Sequence, residues 1–273
     1  MKSFFGIRPL LFARNGAIPS MPRDTLEAYK AAFDAGATVI YSAARLSADM
    51  HLVLSGDRDF SAAAGENARV GAMTIDEIKA LDAGHYFRDP VSDEFTFRGK
   101  GVRFITLDEA LDSFPDRRFN IEIADKGERA VDALRDVVER HKAVDRVLVY
   151  SMYASTIGKV RASIPEIATS LSLTGVLGLY ALFRTGFLYF KRGFKADALQ
   201  IPEVIGPSFV GNQGMIRESS ARGLKVIISV DNSQAQIRRL IEAGADGFIT
   251  DDIPLLVKIL GEIKPDFCDP DIL

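Results

Sequence analysis

The chain of 273 residues contains no tryptophan, one cysteine and only three histidines. The lone Cys268 excludes an internal disulfide framework and leaves too few thiols for a cysteine-based zinc site. His51, His85 and His141 lie far apart in sequence. An acid–base histidine needs a positioned partner, and each of these reads as a surface or helix-end residue. Positive charge is not in surplus either: 34 Lys and Arg face 37 Asp and Glu, a net charge of −3, which argues against a nucleic-acid partner. No apolar run reaches the roughly 18 residues of a membrane-spanning helix. Residues 1–12 lack the apolar core and cleavage site of a signal peptide. The expected location is cytoplasmic.

What is present is ordinary globular composition, 47% hydrophobic and 26% charged, in a chain long enough to bury a sizeable core. Short apolar runs alternate with amphipathic stretches. Strands are expected at 9–13, from 39 onward, at 52–54 after a turn near 48–49, and at 119–123, 146–151, 167–171, 198–201, 224–230 and 247–250. Helices are expected between them, including 107–114, 131–138, 154–162, 208–222 and 254–260. Asp24 is placed to cap the first helix, and Asp251-Asp252 the last. Residues 57–103 are too long for a βα loop and read as an inserted subdomain. About eight βα units at this length predict an α/β fold of the (β/α)₈ TIM-barrel type. It would be a single domain over 1–263, with a tail at 264–273.

Several stretches, taken in order, resemble the glycerophosphodiester phosphodiesterases. Residues 8–28 are similar to that family's first strand and loop, with its His-Arg-Gly and Pro-Glu-Asn-Thr motifs. Residues 36–57 resemble its Glu-x-Asp strand and His-Asp turn, and 74–87, with Leu81-Asp82-Ala83-Gly84, resemble its insertion. Thr106-Leu107-Asp108-Glu109, Asn120-Ile121-Glu122-Ile123, Gly223-Leu224-Lys225-Val226 and residues 244–251 match later blocks. The resemblance implies a barrel and a divalent cation, Mg²⁺ or Ca²⁺, held by three carboxylates. It also implies two acid–base histidines, and an arginine and a lysine that hold phosphate.

Carried over position by position, little of that machinery is retained. The first histidine corresponds to Arg14 and the arginine after it to Asn15; the glutamate and asparagine of the next motif correspond to Arg23 and Asp24. Two carboxylates become Tyr41 and Ala43, and the second histidine becomes Gly56, beside a retained Asp57. Glu122 keeps the third carboxylate, while the family's lysine becomes Ala124 and its tryptophan Ser229. One carboxylate does not make a site for a cation that takes several oxygen ligands, so no metal or other cofactor is expected.

The groups left for chemistry are Glu122 and Tyr41. Arg14, Asn15, Arg23, Asp57 and Ser229 are the candidates for holding a ligand, since arginine pairs with anions. Glu122 could also serve as the ion partner of Arg14, and Tyr41 could simply fill volume. The expected function is a barrel that binds a small phosphodiester, anionic or lipid-like molecule without family-type catalysis. A metal-independent or redesigned enzyme in the altered pocket, and a weakly active phosphoric diester hydrolase, are the alternatives. Residues 175–195, apolar and aromatic with a basic end, fit either a peripheral membrane contact or a contact in a homo-oligomer.

Overall fold

The computed structural model describes residues 2–6, 10–201 and 213–263. The first apolar run forms β1 (Leu10–Arg14). On one side, parallel strands follow in the order β2 (Val39–Leu46), β6 (Arg118–Ile123), β7 (Val147–Tyr150) and β8 (Ala168–Thr169). On the other side come β11 (Gly247–Thr250), β10 (Lys225–Ser229) and β9 (Ala198–Ile201). The ring closes where Ser170 bridges Ala198 in parallel. There the Leu171 N–H donates to the Ala198 carbonyl (2.9 Å) and the Asp197 N–H to the Thr169 carbonyl (2.8 Å). Eight parallel strands with helices between them make a (β/α)₈ barrel. Burial on both faces is why its strands read as continuous apolar runs.

The outer helices carry apolar stripes toward the strands. They are α1 (Leu26–Asp34), α4 (Leu107–Ser113), α5 (Glu128–Arg140), α6 (Ala154–Ser163), α7 (Leu173–Arg184), α8 (Gln213–Ala221), α9 (Gln234–Ala243) and α10 (Ile253–Ile263). In α5 the stripe is Ala130, Val131, Leu134, Val137 and Val138, all buried. Thr106 starts α4 through a capping box with Glu109, satisfying backbone donors at both residues. The expected helix at 208–222 is observed from Gln213; 208–212 and the tail at 264–273 lie outside the described residues. The strand expected at 167–171 is only two residues long.

Inside the barrel, Phe4 and Phe5 of an N-terminal 3₁₀ turn belong to one cluster with Leu10, Phe12, Leu148, Ile227 and Ile249. Toward the strands' C-terminal ends, Asn120 and Gln200 exchange two amide hydrogen bonds of 3.1 Å each. Both are buried and each satisfies the other, so polar groups can sit in the lumen without leaving donors unpaired.

Past β2 the chain turns back as β3 (Leu52–Leu54), antiparallel to β2. It then enters a small unit with a hairpin of β4 (Asp59–Phe60) and β5 (Glu66–Arg69), and short helices α2 (Ser61–Ala64) and α3 (Ile75–Ala80). Phe60, Val70, Ile78, Ala83, Val102 and Phe104 give this unit its own core, joined to the barrel through Val53.

Candidate functional site at the barrel mouth

Strand register decides which side chains meet at the mouth. Arg14 lies beside Tyr41, Ala43 beside Glu122, and Glu122 beside Tyr150. The Tyr41 hydroxyl donates to Glu122 Oε2 at 2.6 Å. Burial, reinforced by the Glu122 charge, pushes the Tyr41 hydroxyl well above its ordinary pKa. The same two causes raise Tyr150 to about 12. Both phenols are therefore neutral at physiological pH, and Tyr41 acts as a donor rather than a base. Ser229 is buried at the end of β10, level with Ile249.

Arg14 does not pair with Glu122. Its Nη1 lies 3.1 Å from Asp251 Oδ2, an ion pair between the first and last strand ends. Of the two aspartates expected to cap the last helix, Asp252 does so, its Oδ1 accepting the Leu255 N–H at 3.0 Å. Asp251 belongs to the rim.

The loop after β1 carries three successive residues in the left-handed region: Asn15 (φ 53°), Gly16 (φ 97°) and Ala17 (φ 41°). Such conformations cost free energy and persist where the surroundings enforce them. Here the Asn15 N–H is held by the Tyr41 carbonyl at 2.7 Å, and the Asp24 N–H returns to the Asn15 carbonyl at 2.9 Å. Asp24 is not the cap of α1; Thr25 is, its side chain accepting the Ala28 N–H at 3.2 Å. Asp24 is instead buried with φ 55°. Its Oδ1 accepts from Tyr29 (2.9 Å) and Ser42 (2.6 Å), and its Oδ2 from the Gly56 N–H (3.0 Å). Burial raises its pKa despite these donors. One carboxylate thus ties the loop to β2 and to the turn after β3.

Beside the mouth, a cleft of about 570 Å³ lies between this loop and the inserted unit. Asn15, Arg23 and Asp57 line it, with Asp251 at the edge it shares with the mouth and Phe60, Tyr86, Phe87 and Phe104 on the far wall. The candidate residues therefore fall into two groups. Arg14, Glu122 and Ser229 stand at or near the C-terminal ends of their strands, with Tyr41 reaching Glu122 from within β2, and Asn15, Arg23 and Asp57 stand in the cleft. The aromatic wall and Asp251's partnership with Arg14 have no local sequence signature; both depend on contacts distant in sequence.

The positions that the resemblance assigns to a divalent cation do not fit one. Tyr41 and Ala43 supply no carboxylate, and Glu122 is engaged by Tyr41. Among the described residues, no group of three or more His, Cys, Asp or Glu is arranged to hold a metal ion.

Residues 15–255 match the Glycerophosphoryl diester phosphodiesterase family, and the chain belongs to it. A glycerophosphodiester phosphodiesterase of Caldanaerobacter subterraneus is 24% identical over 93% of this chain and 98% of its own length. A human lysophospholipase D is 20% identical over 88% of this chain and 81% of its own. Among solved structures, the glycerophosphoryl diester phosphodiesterase domain of a Mycobacterium tuberculosis protein superposes with a TM-score of 0.79 at 17% identity, covering 93% of this chain and 99% of that one. An Oleispira antarctica phosphodiesterase, in complex with the product sn-glycerol-3-phosphate, superposes with a TM-score of 0.76 at 19% identity, covering 95% and 99%. The family uses a divalent metal. No described helix is long and apolar enough to cross a membrane.

Proposed function

We propose that this family member binds a small phosphodiester with an apolar portion at the mouth and cleft, without the family's cation-dependent hydrolysis. The observation that carries this reading is the Tyr41–Glu122 hydrogen bond. It engages the one carboxylate retained at the positions that the resemblance assigns to a cation. The raised pKa of Tyr41 argues against the pair as a proton-transfer dyad, because a neutral phenol is a poor base near pH 7.

Arg14 supplies a guanidinium for the phosphate, and the aromatic wall of the cleft suits a chain or another apolar group. Lysophospholipase D names among the relatives and the glycerol phosphate in the Oleispira enzyme agree with that ligand class.

Thermal denaturation with sn-glycerol 3-phosphate and with a lysophospholipid headgroup diester tests the reading. Stabilisation by either, lost in Arg14→Ala, supports it. Robust release of glycerol 3-phosphate from glycerophosphocholine on adding Mg²⁺ or Ca²⁺ overturns it.

A further inference from the structure

The segment joining β8 to β9 differs in charge from the rest of the molecule. Residues 170–197 carry Arg184, Lys191, Arg192 and Lys195 against a single acid, Asp197, which accepts the Thr169 N–H, in a chain whose net charge is −3. None of these cations makes an ion pair among the described residues. After α7, Gly186 in a left-handed conformation (φ 78°) reverses the chain into a 3₁₀ turn, Phe187–Phe190. Phe187, Tyr189 and Phe190 are 61%, 78% and 76% exposed. Their rings adjoin, with centroids 5.6 Å apart for Tyr189–Phe190 and 6.4 Å for Phe187–Phe190. Exposed Leu177 and Ala181, four residues apart on one side of α7, extend the apolar surface.

This turn is anchored. Leu188 is buried, and Arg222 Nε donates to the carbonyls of Leu188 (2.8 Å) and Lys191 (3.0 Å). The anchor also locates it. β8 and β9 are parallel, so their connection leaves at the mouth and returns to the opposite rim. Arg222 lies in the short link from α8 to β10, three residues before that strand starts, at that same rim. The aromatics therefore project from the end of the barrel away from the mouth.

We propose that this turn docks the protein on a bilayer containing anionic lipids, leaving the mouth facing water. Clustered exposed aromatics suit the headgroup level of a membrane, and exposed cations beside them, with no ion pair among the described residues and with Lys191 Nζ stacked 4.9 Å over the Phe194 ring, gain from a negative surface. A second copy of the chain fits less well, because a two-fold contact would oppose identical cations, and Asp197, the one acid between β8 and β9, is already held by the Thr169 N–H (2.9 Å). The proposal does not depend on what the mouth binds.

The full chain is mixed with vesicles of phosphatidylcholine alone or with phosphatidylglycerol. Sedimentation with the anionic vesicles at low salt is expected, with little on the neutral ones. Lys191→Gln/Arg192→Gln should weaken partitioning roughly 30-fold, and Arg14→Ala should leave it unchanged. Because the chain has no tryptophan, Phe190→Trp provides a single reporter whose emission should shift to the blue on anionic vesicles. A soluble fraction unaffected by anionic vesicles overturns the proposal, as does sedimentation without the Phe190→Trp shift. A concentration-dependent dimer dispersed by Phe190→Ser also overturns it, in favour of self-association. Circular dichroism melts of each variant keep misfolding from imitating lost binding.

Discussion

The Asn15 side chain fills the space that any side chain at position 56 would need: a Cβ on Gly56 would lie 2.6 Å from Asn15 Nδ2. The resemblance assigns these positions to an arginine and a histidine, and here the two residues are mutually adjusted rather than separately truncated. Gly56→Ala should therefore destabilise the protein only mildly, by about 1 kcal/mol, the low end of overpacking costs, because the atom it meets ends a side chain that can swing aside. Asn15→Gly keeps the left-handed backbone at φ 53° and removes the obstruction. In the double variant Gly56→Ala should cost less, with a coupling of about 0.5–1 kcal/mol in a urea-denaturation cycle. Strict additivity would show that the two side-chain volumes are independent.

Much of the barrel could be read from the sequence, because parallel strands buried on both faces leave unbroken apolar runs. The strands expected at 198–201 and 247–250 occur at those residues. β8 is shorter than its apolar run suggests, since pairing at the closing seam is limited by geometry rather than by residue type. At the mouth, local rules failed where tertiary contacts decide. Asp24 resembles a helix cap in sequence, but buried hydroxyls and the Gly56 N–H claim its carboxylate. Arg14 and Asp251 are 237 residues apart, beyond the reach of any spacing argument. Tyr41 and Glu122 could each be singled out, but they lie 81 residues apart and meet only through the pairing of β2 with β6.

Asp24 makes stability depend on pH in an uncommon direction. Its folded pKa is raised by burial, so the unfolded chain releases this proton first as pH rises. The stabilisation is fully present below the ordinary carboxylate pKa and is lost as pH climbs through the raised value. Asp24→Asn cannot ionise, so wild type should lose stability relative to this variant over that interval. Urea midpoints of both proteins at a series of mildly acidic pH values test this. A difference that stayed constant, or that grew in favour of wild type, would contradict the assignment.

The buried phenols make a second prediction, at alkaline pH. Tyr29 and Tyr41 are raised well above their ordinary pKa and Tyr150 to about 12, in each case chiefly by burial. An unfolded tyrosine ionises near 10. Stability associated with these residues is therefore complete below about pH 10 and is lost as pH rises through their folded values. Of the seven tyrosines, these three should resist titration in the native protein and ionise late or together with unfolding. Absorbance at alkaline pH, followed alongside circular dichroism, measures this; seven equivalent titrations with the fold intact would rule it out.

If the missing oxygen ligands are what keep a divalent cation out, supplying them should admit one. Tyr41→Glu/Ala43→Asp places two carboxylates on β2 near Glu122, with position 43 directly beside it in register. Calorimetric titration with Ca²⁺ or Mg²⁺ should give a specific site in this double variant and none in wild type. Gly56 still lacks the family's histidine, so cation binding should return without rapid hydrolysis. Cation binding by wild type as tight as by the variant would mean that other residues provide the ligands.

Arg14 can hold a phosphate only in competition with Asp251, whose carboxylate lies 3.1 Å from its guanidinium and is 51% exposed. Water screens such a pair, which costs little to break, roughly 0.2–1 kcal/mol. Asp251→Asn removes the competing charge and leaves the rim's shape nearly unchanged. Its affinity for sn-glycerol 3-phosphate should rise by up to about fivefold by calorimetry, the equivalent of the upper end of that energy range. Arg14→Ala should abolish the gain in an Asp251→Asn background. A gain that persisted without Arg14 would place the anion elsewhere, with Arg23 of the adjoining cleft as the next guanidinium to remove. Weaker binding in Asp251→Asn alone would mean that the ion pair orients Arg14 for the ligand rather than competing for it.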